Sequence, residues 1–166
     1  MAPKHLGTLL AYVEGRPSAG FYDGPIPTFA RNGGGRLNQD PDERAKVEKA
    51  AVATVKAHFE ATGWSVESVE ADALGWDLNV TFGSRLLLVE VKGRCGEGPV
   101  ELTVNEYGAM TNDDLRMDYR LAIVFYALSQ SPRLAIFRFM PGAKKWISVE
   151  GDILDLRLTI GAIASF

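Results

Sequence analysis

The stretch from Trp76 to Arg94 constrains the fold of this chain more than any other. Across Trp76–Phe82 apolar and polar residues alternate. Trp76, Leu78, Val80 and Phe82 fall on one side and Asp77, Asn79 and Thr81 on the other, the period of a strand with one covered face. Gly83-Ser84 is a hairpin turn signal. Leu86–Lys92 then runs almost wholly apolar and ends in charge. A strand of that composition is buried on both faces, in the middle of a sheet.

The charges at its end carry the chemistry. Glu90 and Lys92 are two positions apart, so both side chains leave the same face, about 7 Å from each other. Asp77 precedes Glu90 by thirteen positions, and a tight hairpin brings the two carboxylates together near one end of the sheet. Two carboxylates hold Mg²⁺ (or Mn²⁺) through oxygen while leaving positions for water. The peptide carbonyl of Val91 adds a further oxygen. Such an ion activates water and draws charge from a phosphoryl group, which is what phosphodiester hydrolysis needs. A neighbouring lysine orients or deprotonates the water, or stabilises the charge that develops. The competing reading is a structural ion pair of Lys92 with Glu90 or Asp77 at a strand end. Spacing alone does not separate the two.

Around this hairpin the chain reads as alternating elements. Asp40 is an N-cap, Pro41 the first helical residue, and Val52, Val55 and Phe59 an apolar stripe that Gly63 ends. Glu48 lies four residues before Val52 and therefore faces the core side or a site; the alternative is a first-turn carboxylate favouring the helix dipole. Trp64–Val69, Val100–Val104, Leu121–Leu128 and Leu134–Phe139 read as strands, and Asn105 as the cap of a short helix over Glu106–Asn112. Asp152–Ile163 fits helix or strand. Arg94, just past the charged strand end, is placed to contact a phosphate or to stand in solvent. Tyr119 and Arg120 read as packing and surface residues. Seven of the 17 glycines and four of the eight prolines precede residue 36. Positions 1–37 therefore read as an irregular N-terminal arm, with one short strand near Leu9–Val13 and a hinge at Gly33-Gly34-Gly35. Positions 38–166 form the domain.

The string LLLVEVKGR, preceded by GWDL, resembles the PD-(D/E)XK nuclease superfamily, with Asp77 as first acid, Glu90 as second and Lys92 as the lysine of E-x-K. Glu48 matches the helix glutamate often seen ahead of that core. More narrowly, VEKAAVATVKAHFEATGWSVESV, GWDL, VEVKGR, LTVNEYGAM and DYRLAIV, in this order from about Asp40 to Phe139, resemble the domain family named after the C-terminal region of the plant protein NO VEIN. The resemblance implies an α/β, restriction-endonuclease-like fold with a four-stranded mixed central sheet flanked by helices. It implies Mg²⁺-dependent cleavage of DNA, in restriction, defence or repair. Asn105 and Glu106 match a family element, as helix cap or substrate contact. The family also occurs at the ends of bacterial helicase-like and defence proteins. The expected partners are therefore DNA, a helicase or other defence-system protein, and a second copy of the chain as a homodimer. A non-catalytic module of the same fold, binding nucleic acid or protein, is the alternative.

Charge and composition bound these readings. The net charge is −3 and the pI about 5.4, which counts against tight non-specific binding of nucleic acid. No apolar run reaches the roughly 18–20 residues of a membrane span. The start lacks a signal-peptide pattern. A single cysteine, Cys95, excludes an internal disulfide framework and a cysteine zinc cage. A cytoplasmic location is the expectation.

Overall fold

The computed structural model describes residues 8–14 and 40–159. The rest of the 1–37 arm, including the hinge expected at Gly33-Gly34-Gly35, and the end of the Asp152–Ile163 segment lie outside the described residues. In chain order the elements are β1 (Thr8–Glu14), α1 (Pro41–Ala61), β2 (Ser65–Ser68), β3 (Leu78–Phe82), β4 (Arg85–Gly93), β5 (Val100–Leu102), α2 (Val104–Thr111), β6 (Tyr119–Phe125), β7 (Arg133–Met140), β8 (Lys145–Ser148) and β9 (Ile153–Thr159).

Helix α1 starts where the sequence indicates. The Asp40 side chain accepts the Asp42 N–H at 3.1 Å, Pro41 opens the first turn, and Asp42 and Glu43 favour the helix dipole. At the other end Gly63, at φ +84°, lets the chain leave, and the Trp64 N–H returns to the Phe59 carbonyl at 3.1 Å. The buried stripe is Val47, Ala51, Val55 and Phe59. Val55 and Phe59 were expected there, whereas Val52 stands on its flank, half-buried.

The described strands form one mixed sheet of nine, in the order β2-β3-β4-β6-β7-β8-β9-β1-β5. This is wider than the four strands the resemblance implies. Only β4 and β6 run parallel; every other neighbouring pair is antiparallel. β3 and β4 are the expected hairpin, closed by Gly83 at φ +59°. The short strand expected near Leu9–Val13 is β1, paired between β9 and β5. The C-terminal segment left open between helix and strand is strand β9 over its described part.

Each face of the sheet carries a core. On one, α1 packs on Leu78, Val80, Leu87, Val89, Val91, Ala122 and Val124. On the other, Ala109 and Met110 of α2 meet Leu88, Tyr119, Leu121, Ile123, Phe137, Trp146 and Leu154. β4 thus alternates between two covered faces, which is why its sequence is apolar from Leu87 to Val89 and again at Val91. Gly93 brings α1 close: a Cβ there would stand 2.9 Å from Val47 and Ala51.

Two local expectations are corrected. Trp76 lies before β3, not on its α1 face; it packs against the α2-side core, and its Nε1 donates to Asn79 Oδ1 at 3.0 Å. Asn105 is not the cap of α2. Thr103 is: its Oγ1 accepts the Glu106 N–H at 3.3 Å and the Glu106 carboxylate accepts the Thr103 N–H at 2.9 Å, a complete capping box. The box fixes two otherwise unpaired amides, which a lone Asn105 side chain cannot match. The T-x-x-E spacing was visible in the sequence.

Candidate functional site

Asp77 is held by backbone on both sides. Its N–H donates to the Val89 carbonyl at 3.0 Å and its carbonyl accepts the Val69 N–H at 2.8 Å. Its Oδ2 accepts the Val91 N–H at 2.9 Å. That amide is available because alternate residues of β4 turn toward β6 and the others toward β3. The Val91 carbonyl leaves the strand on the same edge as its N–H, beside Asp77. The approach to Asp77 is tightly packed. Gly75 sits at φ +94°, and a Cβ there would stand 2.8 Å from the Asn105 carbonyl oxygen. The buried Tyr119 hydroxyl donates to the Gly75 carbonyl at 2.9 Å and lies 3.4 Å from that of Glu106. Tyr119 is thus the packing residue expected, with an added hold on the loop that carries Asp77.

Glu90 and Lys92 leave β4 on the α2 face, as period two requires. Glu90 is 2% exposed. The Lys92 Nζ lies 2.8 Å from Glu90 Oε1 and 2.6 Å from Glu106 Oε2. The same Glu106 oxygen caps α2, so the helix start fixes the carboxylate that fixes the lysine. Burial, with the Asp77 and Glu106 charges adding, pushes Glu90 up to about 8 despite Lys92. Burial also raises Asp77, against the pull of the Val91 N–H and Lys92. On Lys92 burial acts downward, but Glu90 and Glu106 outweigh it and raise its pKa. Lys92 is therefore a fixed cation, suited to orienting an anion or water and not to removing a proton at neutral pH.

These groups line a cleft of about 1130 Å³ between the first half of α1 and the β5–α2 edge. Every residue singled out in the sequence for this site lines it: Asp77, Glu90, Val91, Lys92, Glu48, Arg94, Asn105 and Glu106. They do not all meet. Glu48 has a side chain 59% exposed on the α1 wall and pairs with Arg44 at 2.9 Å. Arg94 donates from Nη1 to the Pro99 carbonyl and packs on Gly98, with Nη2 3.3 Å from where a Cβ would stand. Its Nε is buried without a hydrogen-bond partner. Glu70, passed over in the sequence, lines the cleft and a smaller hollow of about 180 Å³ behind it, and its charge adds to the rise of Asp77. Its signal was the acidic run Glu70-Ala71-Asp72 just ahead of Gly75-Trp76-Asp77.

The donors beside Asp77 are hard oxygens, two carboxylates and one peptide carbonyl, the ligand class of Mg²⁺ and Mn²⁺. Among the described residues no three of His, Cys, Asp and Glu converge as a metal cage. Any ion here would take few protein ligands and keep water. No helix among the described residues is long and apolar enough to cross a membrane.

The family model described as Protein NO VEIN, C-terminal, matches residues 47–137, more than half of the chain. That span runs from α1 through β7 and includes Asp77, Glu90, Lys92 and Glu106. No curated protein and no solved structure matches the chain.

Proposed function

We propose that this chain, which belongs to the NO VEIN C-terminal family, is a metal-dependent nuclease of PD-(D/E)XK type that hydrolyses DNA. The observation that carries the reading is the meeting of Asp77, Glu90 and Lys92 at the end of one buried central strand, on the wall of an open cleft. A charge as deeply buried as Glu90 is costly unless paired or metal-bound, and one lysine shared with Glu106 pairs it only in part.

In this mechanism Asp77, Glu90 and the Val91 carbonyl would hold Mg²⁺ or Mn²⁺. The ion, when bound, supplies an activated water and draws charge from the phosphoryl oxygens. Lys92 stays protonated, orients the attacking water and offsets charge on the phosphate. Glu106 keeps the ammonium in place. Glu48 faces the same cleft from α1 and assists the water shell, while Arg94 and Asn105 border the path of the strand. A helicase or other defence-system protein is the partner class this reading favours.

The second reading is a non-catalytic module of the same fold. It is favoured by the chain's net charge of −3 and by the Glu90–Lys92–Glu106 network, which is also what a structural ion cluster looks like.

Cleavage of supercoiled plasmid and single-stranded DNA with Mg²⁺ or Mn²⁺ separates them. Wild type is expected to cleave, and Lys92→Ala and Asp77→Ala to lose about a hundredfold or more while remaining folded by circular dichroism. Absence of both cleavage and calorimetric metal binding in wild type would leave the binding module as the function.

A further inference from the structure

The arginines of the described residues divide into two groups. Arg44, Arg116, Arg133 and Arg157 each meet a carboxylate, at 2.9, 2.7, 3.5 and 2.8 Å, and Arg94 bonds the Pro99 carbonyl. Arg85, Arg120 and Arg138 have no carboxylate within ion-pair distance among the described residues. These three share one surface. Arg85 has the parity of Leu87 and Val89 on β4, Arg120 that of Ala122 and Val124 on β6, and Arg138 that of Ile136 and Leu134 on β7. All therefore belong to the α1 face of the sheet.

Arg120 and Arg138 are direct cross-strand partners. Like charges placed opposite each other are unfavourable in a sheet. Among the described residues no carboxylate forms an ion pair with either: the Arg120 Nη1 is held by the Met117 and Tyr119 carbonyls at 2.9 and 2.7 Å, and Arg85 lies over the Trp64 ring at 5.7 Å. Asp118 favours the charge of Arg120, but burial first, then Arg138 and Arg85, oppose it, and the net effect lowers its pKa. Arg85 and Arg138 are exposed, so their forks are open to a ligand.

We propose that Arg85, Arg120 and Arg138 form a second nucleic-acid contact, which binds the phosphodiester backbone away from the cleft. The arginine fork accepts a phosphate in bidentate fashion. Arg120 and Arg138 face each other across neighbouring strands, and Arg85 stands on β4 four positions from Val89, the register partner of Arg120, about 13 Å along the strand; cations spread over that length suit an extended polyanion more than one small ion. The group lies on the opposite face from Lys92. Arg85 and Lys92 are seven residues apart on β4, about 23 Å along the strand. The cleft itself needs such help. Its lining carries Glu48, Glu70, Asp77, Glu90, Glu101 and Glu106 against a comparable number of cations, and a phosphate backbone gains little net attraction there. The choice of nucleic acid as ligand rests on the nuclease reading; the anion site rests on the arginines.

The test is fluorescence anisotropy of a labelled DNA duplex with the full chain in EDTA, titrated over a range of salt. Arg85→Ala/Arg138→Ala is expected to bind about tenfold or more weakly, with the slope of log K against log salt shallower by about two. Arg133→Ala, on the other face and paired with Glu97, is expected to match wild type. The proposal is overturned by no binding in wild type, by unchanged affinity and slope in the double variant, or by an equal loss in Arg133→Ala. Displacement of the duplex by polyglutamate or inorganic phosphate at equal charge overturns nucleic acid as the ligand. Metal-dependent cleavage by wild type is scored separately: no cleavage with the arginine-dependent binding intact overturns the nuclease reading alone, and cleavage without arginine-dependent binding overturns this site alone.

Discussion

Glu106 works at two places at once. One of its oxygens accepts the Thr103 N–H and lies 2.6 Å from the Lys92 ammonium. Its two roles separate by substitution. Glu106→Gln keeps a capping-box side chain but removes the charge that helps hold Lys92; its melting temperature is expected to stay close to wild type while cleavage falls about tenfold, roughly 1.4 kcal/mol of transition-state stabilisation. Glu106→Ala loses the cap as well, at about 1 kcal/mol in urea denaturation. Glu90 gives a pH signature. Its folded pKa, about 8, lies above the ordinary 4.5, so the native state binds its proton more tightly than the unfolded chain. The stability it contributes is complete below about pH 4.5 and is lost as pH rises through about 8. Asp77, also raised, acts in the same sense beginning from lower pH. Lys92, raised from 10.5, contributes steadily until pH approaches that value. Metal-free protein is therefore expected to lose urea stability between pH 5 and 9, and Glu90→Gln to flatten that slope. An unchanged slope in the variant would place the titrating group elsewhere.

At the scale of elements, the site depends on how closely two helices approach one strand. α1 reaches β4 through Gly93, where Val47 and Ala51 occupy the space of a Cβ. Gly93→Ala overpacks this contact, and a cost of about 1–3 kcal/mol is expected in denaturant melts. The displaced helix shifts the wall that carries Glu48, so cleavage is expected to fall by more than the stability loss alone explains. Gly83→Ala serves as the comparison: its φ is +59° but nothing lies within 4 Å of an added Cβ, and only backbone strain of about 1 kcal/mol follows. The caps show how much local sequence conveys. Asp40-Pro41 marked the start of α1 and Gly63 its end. The Thr103–Glu106 box is equally legible; Asn105 competes with it only if a capping residue is considered without its reciprocal partner.

For the whole molecule, β4 and β6 are adjacent interior strands of the sheet, and both contribute buried residues to the cores on its two faces. Their amides are expected to exchange slowest with deuterium, and those of the edge strands β2 and β5 fastest; faster exchange in β4 than in β2 would contradict the strand order. The sequence by itself determined the β3–β4 hairpin, the burial of β4 on both faces, helix α1 and the proximity of Asp77, Glu90 and Lys92. These follow from period, turn chemistry and short separations along the chain, where few alternatives compete. Only the tertiary structure decided that β1 sits between β9 and β5, that Glu106 closes on Lys92 from a helix fourteen residues further on, and that Arg120 and Arg138 oppose each other. Each depends on which strands pair and in what register. Register is set by packing over the whole sheet, and no local pattern in the chain records it.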